Sequence, residues 1–192
     1  MDQHKQIGEI MIKNQTEQSA WRALATSLLI AGWIAAFACS TAKAADKAAQ
    51  LMAGESLGGI KIGMAEKKLK DLLGQPKEKS QVKLTEATGE FDQTWRYPDK
   101  GLEITLSGES KTGSKRVSAF TASSGCGLTT TKGIKIGSSE ADVRRAYGSF
   151  EDKESASMAE KNSFVAGSIY GGIIFTFKDK KVARIFFGAA AE

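Results

Sequence analysis

Histidine is almost missing from this chain. Of 192 residues only His4 is one, and it lies ahead of an apolar stretch that reads as an export signal. Everything after that stretch lacks the imidazole that activates a nucleophile in Ser-His-Asp and Cys-His arrangements, and lacks histidine metal ligands. Cysteine is nearly as scarce, with Cys39 and Cys126 alone. If Cys39 leaves with the signal, no intramolecular disulfide can form, and no Cys or His cluster has the spacing of a zinc site. Neither sign of charge dominates: 27 Lys and Arg are interspersed with 22 Asp and Glu, for a net +5. That is an ordinary solvated surface and not a nucleic-acid footprint, although weak attraction to anionic headgroups is compatible with it. No pair of carboxylates stands out as acid and base; Glu151, Asp152 and Glu154 read as a solvated run. Gly133 to Gly137 lacks the G-x-x-x-x-G-K spacing of a phosphate loop. The expectation is a protein that is not an enzyme and holds no cofactor or metal.

What the chain does have begins at its N-terminus. Lys5, Lys13 and Arg22 precede an uncharged run from Ala23 to Ala42 that contains Leu24, Leu28, Leu29, Ile30, Trp33, Ile34 and Phe37. Small residues follow, in the order of a secretory signal. Ala42 and Ala44 occupy the −3 and −1 positions of an A-x-A site, which predicts residues 1–44 as signal peptide with cleavage between Ala44 and Ala45. Two alternatives remain open: lipidation at Cys39, where Phe37 is a poor lipobox residue, and retention of the run as a single-span anchor, since about 20 apolar residues suffice to cross a bilayer. The expected location is periplasmic or secreted, with an outer-membrane lipoprotein as the alternative. Membrane association is expected only if Cys39 is lipidated or the signal is retained.

An internal repeat organises the rest. Gly59-Ile60-Lys61-Ile62-Gly63 recurs as Gly133-Ile134-Lys135-Ile136-Gly137, and eight of the twenty-one positions from Gly59 to Lys79 are identical to those 74 residues later. Self-similarity of this kind marks a duplicated structural unit. Each copy reads as a short extended lead-in that buries both isoleucines, then a helix, roughly Ala65–Leu73 and Ser139–Tyr147. Leu69, Leu72 and Leu73 fall on one helix face; Val143, Ala146 and Tyr147 do the same. Ser138 is the expected N-cap of the second helix, and Gly74 and Gly148 suit left-handed C′ positions. Glu66 with Lys70 and Glu140 with Arg144 are i,i+4 pairs in the favourable order. Three strands follow in each copy, with period-two alternation: Phe91 to Tyr97, Leu102 to Leu106 and Arg116 to Ala122, then Ser163 to Tyr170, Ile173 to Phe177 and Val182 to Phe187. Asp179-Lys180 marks a tight hairpin, and Ser107 to Ser114 a longer, looser one. The predicted fold class is α+β: two tandem modules, each a helix against an antiparallel meander. Residues 45–56 form a leader or short helix, 57–124 the first module, 125–132 a linker around Cys126, and 133–192 the second module.

The run Ile60-Lys61-Ile62-Gly63-Met64, then Leu69, Leu73-Gly74-Gln75-Pro76, Thr94-Trp95-Arg96-Tyr97 and Leu102 to Leu106 resembles the BamE (SmpA/OmlA) family of small outer-membrane lipoproteins. A tandem pair of such modules also resembles the β-lactamase-inhibitor protein fold. Together the two copies cover about Leu57 to Glu192. The first resemblance implies a protein-interaction role in outer-membrane assembly. The second implies a secreted inhibitor or ligand-binding protein acting on an enzyme. Either way the expected partner is a protein of unspecified identity.

Alternation also selects candidate docking residues. Phe91, Trp95, Tyr97, Leu102, Ile104 and Leu106 share one sheet face, and Asp92, Thr94, Arg96, Glu103 and Thr105 the other. In the second copy Ile174 and Phe186 break this division by pointing away from the covered face. Either they pack against the first copy or they form part of a partner-binding surface. Trp95 and Tyr97 are read as core residues, with interface anchors as the alternative.

Overall fold

The computed structural model describes residues 47–158 and 161–190. These fold as an α+β unit whose helices pack on an antiparallel sheet. The leader is helical over 47–54 (α1) and sends Ala48 and Leu51 into the core. Helix α2 spans Glu66–Leu73, α3 Glu140–Tyr147 and α4 Lys153–Met158. The strands are β1 Glu78–Lys79, β2 Lys83–Thr85, β3 Glu90–Tyr97, β4 Leu102–Ser107, β5 Arg116–Ala122, β6 Ser163–Ala166, β7 Gly172–Lys178 and β8 Lys181–Gly188. Their order is β1-β3-β4-β5-β8-β7-β6, with β2 also paired to β3. Two meanders, β3-β4-β5 and β6-β7-β8, therefore meet through their last strands.

One core runs the length of the sheet. Trp95, Ile104, Phe120, Ile185, Phe187, Ile173, Phe175 and Phe164 line one face, and Leu51, Leu69, Val143 and Tyr147 descend on it from α1, α2 and α3. At the junction the Phe120 and Phe187 rings stack with centroids 4.5 Å apart. The same local bonds occur at both helices. Gly63 N–H donates to the Val117 carbonyl and Val117 N–H to that of Met64; Gly137 N–H donates to the Val182 carbonyl and Val182 N–H to that of Ser138. The N–H groups of Glu66 and Glu140, in the first turns of α2 and α3, reach the carbonyls of Lys115 and Lys180. Lys70 pairs with Glu66 at 2.8 Å and lies over the Trp95 ring; Arg144 pairs with Glu140 at 2.8 Å and lies over the Phe164 ring. Strand irregularities fall between Thr105 and Leu106 in β4 and between Thr176 and Phe177 in β7.

Several local expectations change. Ile60 and Ile134 are buried, but Ile62 is exposed, because a turn and not an extended segment carries Lys61 to Gly63. Leu72 is exposed too, since α2 is only eight residues long and turns Leu69 inward. The N-cap of α3 is Ser139, whose hydroxyl accepts from Asp142 N–H; Ser138 instead accepts from Lys135 N–H. Gly74 has the positive φ of 80° but, with ψ −171°, lies outside the left-handed helical region, whereas Gly148 is right-handed and continues into the 3-10 turn Gly148–Phe150. The strand expected from Ser163 to Tyr170 ends at Ala166, where Gly167 adopts φ 92°. The hairpin at Asp179 and Lys180 has positive φ at both residues, as a type I′ turn demands. The longer hairpin is not loose. It wraps the buried Lys115, whose Nζ donates to the carbonyls of Ser110, Lys111 and Gly113.

Candidate functional site

Helices α1 to α3 deliver their buried side chains to one face of the sheet, which leaves the opposite face as the candidate interaction surface. Strand register fixes what it displays. Arg96 pairs with Glu103, Glu103 with Thr121, Thr121 with Phe186, Phe186 with Ile174 and Ile174 with Val165. This row crosses six strands and changes character at the junction. Its first three positions are polar, and Arg96 and Glu103 form an ion pair at 2.7 Å. Its last three are apolar. Val165 and Ile174 are buried beneath Ile169, which comes from the 167–171 connection, and Phe186 is half-buried at the margin of this second cluster. Tyr170, beside Ile169, is 65% exposed, the most open large hydrophobic side chain among the described residues.

Ile174 and Phe186 therefore do point away from the main core. Ile174 packs on Val165 and Ile169 of its own half and not against the first meander; Phe186 lies between Thr121 and Ile174. Trp95 and Tyr97 are buried in the main core and present no surface for a partner. The Trp95 indole N–H donates to Gln93 Oε1 at 3.0 Å, and Lys79 Nζ lies 4.4 Å from its ring centre. The Tyr97 hydroxyl donates to the Gly74 carbonyl at 3.1 Å, tying β3 to the end of α2; burial pushes this phenol's pKa up. Ala44, Ala45 and Cys39 lie outside the described residues. Cys126 is buried, and its N–H donates to the Ser123 carbonyl.

The expected leader and linker hold a polar cluster that sequence reasoning missed. Glu55 and Thr130 are buried, and the fully buried Tyr147 donates its hydroxyl to Glu55 Oε2. Burial above all, and then the bond to Glu55, push the Tyr147 phenol far above its ordinary pKa. Around it Ser56 N–H donates to Thr131 Oγ1, Thr131 N–H to the Ser56 carbonyl, and Gly58 N–H to the Thr129 carbonyl. The residues read as a linker thus form a bridge between the lead-ins of α2 and α3. A polar residue directly before the first lead-in was the available signal, but its partner lies 92 positions away. The cover supplied by Ile169 had a local signal: Gly167, Gly171 and Gly172 bracket it, and glycine inside a strand pattern marks a break.

Among the described residues, no group of three His, Cys, Asp or Glu side chains could hold a metal ion, and no helix is long and apolar enough to cross a membrane. No family model matches the chain, and neither does any curated protein or solved structure.

Proposed function

We propose that this chain is an exported, non-enzymatic protein-interaction module of the bacterial cell envelope, made of two tandem BamE-like units fused into one sheet, with a role in outer-membrane assembly. The matched bonds around α2 and α3 support the tandem reading, because they make Val117 the counterpart of Val182. On that alignment the junction is self-complementary. Phe120 pairs with Phe187, the counterpart of Ala122; Ala122 pairs with Ile185, the counterpart of Phe120; Thr121 and Phe186 pair at the centre. An isologous register of this kind is what a symmetric dimer would use, here within one chain. It also makes Arg96, Glu103 and Thr121 the counterparts of Val165, Ile174 and Phe186.

The observation that carries the functional reading is this asymmetry on the face opposite the main core. Polar groups suffice at three positions in one half; at the matching positions of the other, Val165 and Ile174 build a second buried cluster with Ile169, and Phe186 at its margin is the apolar group left for a partner. A half-buried Phe186 packed on the Ile169 cluster, together with an exposed Tyr170 that follows Ile169 in the chain, has the composition of an interface anchor. Site-specific photo-crosslinking in the native envelope tests the proposal. Probes at Thr121 and Phe186 should yield the same discrete adduct, and a probe at the exposed Lys68 on α2 should not. Adducts from Lys68 alone, or none from the sheet face, would overturn it.

A further inference from the structure

We infer that residues 167–171 are a lid over the apolar row, latched by the C-terminal tail; the inference builds on the tandem alignment and on the docking face proposed above. The counterpart connection in the first half, between β3 and β4, is a single 3-10 turn, Pro98–Lys100, followed by Gly101. Between β6 and β7 the connection 167–171 is one residue longer, and it lays Ile169 against Val165 and Ile174.

Glycines bound the segment, and its first residue is held, Gly167 N–H donating to the Phe150 carbonyl. Gly167 stands at one end with φ 92°, a conformation that other residues resist, and Gly171 and Gly172 stand at the other. Ile169 is the only side chain of the segment that joins the cluster, while Tyr170 points to solvent. One backbone bond ties the centre of the segment to the tail: Ala190 N–H donates to the Ile169 carbonyl at 2.7 Å. Ile169 thus acts as an internal stand-in for an aliphatic side chain. Opening would uncover Ile174 and the shielded side of Phe186 together, without disturbing the main core, which lies on the other face. A partner's access to the row is then governed by the tail.

Ala190→Pro removes the latching N–H and nothing else from the cluster. Hydrogen exchange followed by mass spectrometry should show the amides of 168–171 exchanging at least about ten-fold faster, with β7 and β8 unchanged. Unchanged exchange in 168–171 would overturn the latch, and acceleration of β7 and β8 along with it would show the segment to be part of the main cooperative unit. Ile169→Ala supplies the second readout. The native protein should gain binding of an apolar dye while still unfolding in one transition; failure to gain it would overturn the lid. Exchange does not involve a partner, so a lid that opens while Phe186 captures nothing would sink the docking reading and leave the lid standing.

Discussion

Replacing Tyr147 with Phe tests the reasoning about the buried bridge most directly. The substitution keeps the ring, which sits 5.0 Å from that of Phe175, and deletes the hydroxyl, which donates to Glu55 and is also hydrogen-bonded by Thr130 and the Lys132 backbone. An acceptor left buried without its donor costs about 1–3 kcal/mol. Glu55 is 3% exposed, so water cannot replace the phenol without local opening. The expected loss is about 2–3 kcal/mol, which for a fold of this size lowers Tm by about 5–10 °C. The assay is urea unfolding of wild type, Tyr147→Phe, Glu55→Leu and the double variant. If the two groups act on each other, the double variant should cost about 2 kcal/mol less than the two single losses combined, since the stranded carboxyl goes with its donor. A Tyr147→Phe variant within about 0.5 kcal/mol of wild type, or additive losses, would refute the account.

Alkaline stability should follow the same tyrosines. Burial raises the pKa of Tyr147 and Tyr97 in the folded state, so each contribution is complete below the ordinary phenol pKa of about 10 and is lost as pH climbs beyond it. Absorbance titration should find these two phenols ionising only as the protein unfolds, and Tyr147→Phe should flatten the alkaline fall in Tm. Phe187→Ala empties a site stacked on Phe120 and should cost about 3–5 kcal/mol, whereas Phe186→Ser, at a half-buried margin, should cost clearly less; comparable losses would place Phe186 in the main core. Intact-mass analysis of the protein from its host should find an N-terminus at Ala45; an acylated Cys39, or a start ahead of the apolar run, would replace secretion with anchoring.

The amino-acid sequence by itself determined α2, α3, the two three-stranded meanders and most of their inward faces, but not the short β1, β2 and α4. Period-two alternation placed Trp95, Tyr97, Ile104 and Phe175 inside, helical spacing placed Leu69, Val143 and Tyr147 inside, and the i,i+4 pairs Glu66–Lys70 and Glu140–Arg144 form as their order requires. These are local properties: a side chain's direction along a helix or strand depends only on its near neighbours in the chain. It also singled out Ile174 and Phe186 as facing away. Tertiary structure decided what they meet. That β5 pairs with β8, that Glu55 reaches Tyr147, and that Ile169 covers Ile174 are encounters between segments whose separation no periodicity encodes. Helix ends belong to the same group. Ser138 and Ser139 are equally good caps by composition, and the Glu140 N–H bond to the Lys180 carbonyl fixes where the first turn of α3 is anchored. The polar-to-apolar change along the face opposite the main core was present in the sequence all along. It became visible only when register set Arg96, Glu103 and Thr121 in line with Phe186, Ile174 and Val165, because a row across strands has no counterpart along the chain.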